Sequence, residues 1–199
     1  MPTGRSSSEK CCGILLAAGA GSRFRAPEHK LLAILRGRPV YCWALDAVVS
    51  AGLDAVIIVT GAAALDPTTM PEATIVHNPD WASGQATSLQ CARRAAEALG
   101  MDALVVGLAD QPFITAAAWR SVANAPADIA VATYDGRRGN PVLLRRAIWP
   151  LLPSEGDQGA RSLMTRRPDL VVEVACTGSP ADIDTMEDLQ QWNSSTNSP

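Results

Sequence analysis

Residues 13–32 read GILLAAGAGSRFRAPEHKLL. Ile14 to Ala18 is an apolar run of the length of a buried strand. It empties into Gly19-Ala20-Gly21-Ser22-Arg23, and after a polar bend at Pro27 comes Lys30 with two leucines behind it. A buried strand that opens into a glycine-rich, basic loop makes an anion cradle. Glycines reach φ > 0 and let backbone N–H groups converge on one point, while Arg23 and Lys30 add full charges. Two common phosphate loops do not fit. The dinucleotide pattern G-x-G-x-x-G has Phe24 at its third glycine, and the second strand ends in Val59-Thr60-Gly61 with no acid. The Walker A pattern needs Ser or Thr after its lysine, and Lys30 is followed by Leu31. The stretch also suits a plain glycine turn with a solvated arginine and lysine. Lysine usage bears on that choice: among 17 Lys+Arg, only Lys10 and Lys30 are lysines, and Lys10 lies in a polar leader. Keeping lysine in the loop of an arginine-rich chain points to a need for a compact ammonium there, not a planar fork.

The 199 residues suit one domain with a sizeable core. With 47% hydrophobic and 19% charged residues the chain is globular, and a net charge of −3 argues against a general nucleic-acid binder. The spacing divides it into a polar leader over 1–10, a domain over 11–192 and a frayed tail over 193–199. Five cysteines at 11, 12, 42, 91 and 176, odd in number and without a C-x-x-C pair, read as reduced thiols in a cytoplasm. The first apolar run is too short for a signal or a membrane span.

Strands alternate with helices along the rest of the chain, which gives an α/β protein with a mostly parallel, mixed sheet flanked by helices in a single domain. Strands are expected at 14–18, 55–59, 73–76, 103–108, 128–133, 141–144 and 170–174. Helices are expected from Pro39 to Gly52, from about Ser88 to Gly100, over 116–123, from Gly156-Asp157-Gln158-Gly159-Ala160-Arg161 to Pro168, and in a closing stretch to Trp192. Pro67 and Pro71 fall in a polar connection, and Tyr134 to Asn140 reads as a turn. The strand after it implies some antiparallel pairing. In such sheets ligands bind beyond the carboxyl ends of the strands, where the 19–30 loop and Asp110 both fall.

Asp110 directly follows a fully apolar strand, where Mg²⁺ with a nucleotide phosphate would need a carboxylate. A helix cap or a turn before Pro112 is the other reading. Asp182 and Asp184, two apart, share one side if extended. Either suits a second magnesium ligand, and Thr185 with Asp188 resembles a capping box. Gln85, Thr87 and Ser88 open a helix, either reading a base edge or capping it. Asp157 and Arg161 make an i, i+4 ion pair if helical, or Arg161 binds a second anionic substrate. His29 and His77 are isolated, without metal-ligand spacing; His29, next to Lys30, could touch phosphate but is taken for a surface residue. No Ser-His-Asp set or G-x-S-x-G elbow exists. Trp43 and Trp81 suit packing.

The ordered set LLAAGAGSRF…HKLL, HNPDWASGQATSL, LADQPF, GRRGNPVLL, GDQGARSLM and DIDTMEDL, spanning about residues 12–192, resembles the molybdenum cofactor cytidylyltransferases (MocA-like) within the MobA-like nucleotidyltransferase superfamily. The resemblance implies a Rossmann-like nucleotidyltransferase fold. It implies that Ala17, Ala18, Gly19, Ala20, Gly21, Ser22, Arg23 and Lys30 hold the nucleotide, with Gly84, Gln85 and Ser88 near it. Arg23, Lys30 and Asp110 would be catalytic, and Asp110 with Asp184 or Asp182 would hold Mg²⁺. Asn140, Asp157 and Arg161 would lie nearer the pterin. Related guanylyltransferases tend to carry glycine where this chain has Ala18, which favours CTP over GTP. The implied reaction is attack of the terminal phosphate of molybdopterin on the α-phosphate of CTP. The product would go to a molybdenum hydroxylase of the xanthine or carbon monoxide dehydrogenase type, with no nucleic acid or membrane partner. Two departures stand out: Phe24-Arg25 replaces the Met-Gly often seen after the loop arginine, and Met186 replaces the proline after DIDT. Two further readings remain. One is the same fold using GTP or another phosphorylated small-molecule acceptor. The other is a non-catalytic molybdenum cofactor chaperone, against which a magnesium-positioning Asp110 argues.

Overall fold

The computed structural model describes residues 9–66, 70 and 72–194. The leader up to Ser8, the Pro67 and Pro71 connection and the tail beyond Ser194 therefore lie outside the described residues.

The first strand, β1 (Cys11–Ala17), is buried at all seven positions. Neighbours on both edges and helices on both faces explain why every residue in it is apolar or small. A two-residue hairpin follows, β2 (Ile34–Leu35) with β3 (Arg38–Pro39). Then come α1 (Val40–Ser50), β4 (Ala55–Thr60), β5 (Thr74–His77), α2 (Gln85–Ala98), β6 (Ala103–Leu108) and α3 (Ala116–Ala123). After these follow β7 (Ile129–Tyr134), β8 (Arg137–Arg145), α4 (Arg161–Arg166), β9 (Val171–Ala175) and α5 (Met186–Ser194). Seven strands form one sheet in the order β5-β4-β1-β6-β8-β7-β9. All run parallel except β8, which is antiparallel to both β6 and β7.

Strand alternation splits the core into two layers. Leu15, Ile58 and Val105 face α1 and α3, packing with Leu45, Val48 and Trp119. Ile14, Leu16, Ile57 and Val106 face the other way, onto Leu89 and Ala92 of α2 and onto Trp149 and Leu163. A third cluster closes the end of the sheet under α5. There Phe24, Phe113, Ile183 and Leu189 pack together, and the Phe113 and Trp192 ring centroids are 3.9 Å apart. Helix ends follow local chemistry. Thr115 Oγ1 accepts the Ala118 N–H at 3.1 Å to cap α3. Asp188 donates its N–H to Thr185 Oγ1 at 3.1 Å while its carboxylate accepts the Thr185 N–H at 2.8 Å, the expected capping box before α5.

One close approach in the first layer is unforgiving. A Cβ on Gly107 would lie 2.6 Å from Trp119 Cζ2, and Trp119 is 1% exposed, with no room to retreat. Gly107→Ala is expected to destabilise the fold by about 1–3 kcal/mol. Urea denaturation would show this as a lower midpoint at unchanged slope.

Two stretches differ from the sequence expectation. Arg137 to Asn140, read as part of a turn, belongs to β8; the turn is only Asp135-Gly136, both at positive φ (50° and 75°) as a two-residue hairpin loop requires. Gly156 to Ala160 does not open a helix: Gly156 and Gly159 sit at φ 96° and 47°, and α4 starts only at Arg161. Asp157 therefore precedes the helix, and the i, i+4 geometry with Arg161 does not arise.

Candidate active site

From β1 the chain builds outward through β4 to β5, then returns to the far side of β1 with β6. The crevice over the carboxyl ends of these strands is the place where parallel sheets hold ligands. A cleft of about 390 Å³ opens there. The glycine loop after β1 forms one wall and the start of α2 forms the other.

The loop wall is shaped by Gly21 at φ +63°, with His29 and Lys30 atoms 3.2 Å from where a Cβ would stand. His29 fastens the loop. Its Nδ1 accepts the Leu31 N–H at 3.2 Å, so the ring proton sits on Nε2 and is donated to Gly19 O at 2.9 Å. His29 is thus a half-buried latch, not the surface residue expected of it.

Lys30 stands at the centre. Its Nζ lies 2.6 Å from Asp110 Oδ2 and 2.6 Å from Asp184 Oδ1, with side chains only 10%, 16% and 12% exposed. Burial alone would lower the Lys30 pKa, but Asp110 and then Asp184 outweigh it and hold it above its usual value, so the group stays an ammonium. Arg23 Nη2 reaches Asp184 Oδ2 at 2.7 Å while the rest of its side chain, 75% exposed, faces water. Asp182 makes neither contact. Its carboxyl is raised by burial and by the adjacent charges of Asp184 and Asp110.

Asp110 Oδ1 is buried with no hydrogen-bond partner. Such an orphaned carboxylate oxygen suits a hard cation. No group of three His, Cys, Asp or Glu forms a complete cage among the described residues, but magnesium is held by one or two carboxylates completed by water and substrate phosphate. The unpartnered Asp110 Oδ1 fits a nucleotide-borne Mg²⁺, while both Asp184 oxygens already meet Lys30 and Arg23.

The opposite wall is set by Gly84 at φ 105°. Asn78, 1% exposed, donates to Thr87 Oγ1 at 2.9 Å and Ser88 Oγ at 3.0 Å, so both hydroxyls help build the wall. Gly156 O accepts the Ala86 N–H at 2.9 Å, and a Cβ on Gly84 would meet Asp157 Oδ1 at 2.7 Å. Asp157 therefore shares the wall of Gly84, Gln85 and Ser88.

The structure thus brings Ala17 to Arg23, Lys30, Gly84, Gln85, Ser88, Asp110, Asp157 and Asp184 around one cleft. Asn140 and Arg161 are not among its lining residues. Asn140 donates its amide to Gln111 Oε1 at 2.8 Å, and Arg161 is exposed at the first position of α4. Trp81, read as a packing residue, lines the cleft with Ala82. Its Cβ and the Ala18 methyl come within 2.7 and 2.8 Å of where a Gly61 Cβ would stand, so glycine at 61 is what lets the two walls meet. No helix is long and apolar enough to cross a membrane among the described residues.

Residues 13–171 match the family described as MobA-like NTP transferase domain. The chain is 30% identical over 191 residues to Purine catabolism protein PucB of Bacillus subtilis (strain 168), across 88% of this chain and 92% of that protein. The crystal structure of Rv0371c from Mycobacterium tuberculosis H37Rv superposes with a TM-score of 0.75 at 26% identity, covering 95% of this chain and 100% of that one. Rv0371c in complex with manganese gives a TM-score of 0.73 at 27% identity, over 94% of this chain and 100% of that one.

Proposed function

The chain belongs to the MobA-like NTP transferase family, and from that premise we propose that it transfers CMP from CTP to the terminal phosphate of molybdopterin, giving molybdopterin cytosine dinucleotide and pyrophosphate. One observation carries the reading: an ammonium held between two carboxylates, beside a glycine loop, in a cleft whose described lining contains no histidine or cysteine. That set suits a reaction whose nucleophile arrives already ionised. A phosphate monoester has its second pKa near ~6, so the acceptor needs no general base. What the protein supplies is alignment and charge neutralisation.

The backbone N–H groups of the loop from Gly19 to Ser22 cradle the triphosphate. Lys30 places a compact charge where negative charge builds on the transferred phosphoryl group. Arg23, largely exposed, has guanidinium nitrogens to spare for the departing pyrophosphate. Asp110 and Asp184 would hold Mg²⁺, which would supply charge neutralisation to the phosphates. The manganese complex of Rv0371c supports a divalent site in a relative of this fold. The wall of Gly84, Gln85 and Ser88 with Asp157 receives the base, and alanine at 18, where related guanylyltransferases tend to carry glycine, favours cytosine. Arg161, exposed outside the cleft lining, would serve the acceptor side of this scheme, whereas the Asn140 amide is engaged by Gln111. A relative named for purine catabolism agrees with a recipient hydroxylase of the xanthine type, xanthine being a purine.

The test is pyrophosphate release with molybdopterin as acceptor, comparing CTP, GTP and ATP with and without Mg²⁺. Magnesium-dependent release with CTP alone is expected. Release with GTP alone overturns the Ala18 argument. Release only with another phosphorylated acceptor moves the function to a different nucleotidyl transfer.

A further inference from the structure

Gln111 follows Asp110, faces no ligand cleft and is 7% exposed, yet both ends of its amide are engaged. Its Nε2 donates to Pro180 O at 2.9 Å, and its Oε1 accepts from Asn140 Nδ2 at 2.8 Å. Asn140 O in turn accepts the Tyr134 hydroxyl at 2.8 Å. One buried side chain therefore joins three segments: the loop after β6, the start of β8, and the strap between β9 and α5 that ends in Asp184.

We propose that Gln111 is a positioning residue that holds this strap in register, so that Asp184 faces Asp110 across Lys30. The strap is tied at its start by Cys176 N to Thr133 O at 2.9 Å and, on either side of Pro180, by Ser179 N to Phe113 O at 3.2 Å and Ile183 N to Asp110 O at 2.9 Å. Gln111 grips the Pro180 carbonyl between them. The seat beneath is cut to fit: a Cβ on Gly139 would lie 3.0 Å from Pro180 Cβ and 3.3 Å from the Tyr134 ring. Asp184 begins one residue beyond the Ile183 anchor. Slack in the strap shifts its carboxylate, and a contact of 2.6 Å to Lys30 tolerates little shift before the charge-assisted bond is lost. The amide suits this task because it donates to one segment and accepts from another at the same time. The same bonds account for Asn140, whose amide is committed to Gln111.

The kinetic part of this inference rests on the proposed transfer; the structural part does not. Gln111→Met keeps the side-chain length and removes both hydrogen bonds. Hydrogen–deuterium exchange of the segment 180–185 is expected to speed up about tenfold, with the α1 segment unchanged. Turnover in pyrophosphate release is expected to fall about tenfold, with the KM for CTP within about twofold, because the glycine loop that binds it is untouched. Gly139→Ala is the second variant. It pushes on Pro180 from below, leaves Gln111 in place, and is expected to give the same pattern, which keeps the inference testable if Gln111→Met fails to fold. Unchanged exchange at 180–185 in the variant that folds overturns the inference. So does faster exchange throughout the chain, or a CTP KM that rises in step with lost turnover. If the wild-type protein releases no pyrophosphate at all, the transfer reading fails, and the exchange comparison still decides the role of Gln111.

Discussion

Lys30→Met is expected to lower pyrophosphate release by about 10³-fold, the cost of removing a preorganised charge from the developing phosphoryl charge. The substitution keeps most of the stem and removes the ammonium. The other lysine, Lys10, precedes β1 at the opposite end of the sheet, so no second lysine replaces it, and Arg23 remains only on Oδ2 of Asp184. Stability should fall as well, because Asp110 and Asp184, 16% and 12% exposed, lose the cation between them. A loss of about 3 kcal/mol is expected, seen in a thermal melt as a drop of about 6–12 °C. If the proposed metal site is right, Mg²⁺ should restore part of that melt, because it would bind the native pair and not the unfolded chain. Lys30→Arg isolates geometry from charge: a planar fork cannot sit 2.6 Å from both carboxylates through one nitrogen as the ammonium does. Wild-type release in Lys30→Arg would remove the argument for a compact ammonium.

Asp110→Asn is the second large effect. The change is nearly isosteric, but it removes both the charge that Oδ1 would offer to a hard cation and the charge that Oδ2 gives Lys30. Release is expected to fall by about 10³-fold. Manganese binding, followed by its paramagnetic spectrum in the absence of substrate turnover, is expected to weaken by at least about tenfold. Release within about twofold of wild type would place the metal elsewhere. The pair of variants separates two causes. Lys30→Met leaves both carboxylates in place, whereas Asp110→Asn leaves the ammonium and removes one proposed ligand.

Much of the fold was legible because burial imposes period. β6 and α3 lie where the sequence placed them, over 103–108 and 116–123, since one is apolar throughout and the other carries an apolar stripe. β8 was half missed for a physical reason: Arg137, Arg138, Gly139 and Asn140 project beyond the core, so nothing apolar marks them as strand, and only the Asp135-Gly136 pair signalled the hairpin. The helix expected from Gly156 fails on backbone grounds, as two positive-φ glycines interrupt it. In the site, Lys30 and Asp110 were readable from their places at strand ends. Which of Asp182 and Asp184 meets Lys30 and Arg23 was not, since alternation treats them alike and only the tertiary contacts separate them. Gln111 was invisible for the same reason: its partners, residues 140 and 180, lie 29 and 69 positions away.

Asp184 comes late in the chain. The last strand of the sheet ends at Ala175, so all seven sheet strands, the glycine loop, Lys30 and Asp110 precede it. On the ribosome, where residues are added at about 5–20 per second and leave in order, a nascent chain has the parts for its whole sheet before the second carboxylate emerges. Until then Lys30 has a single acidic partner and the strap has no anchor at Ile183. The cleft of a growing chain therefore has its glycine loop before its paired carboxylates, which meet across Lys30 only once the segment that closes it has been made.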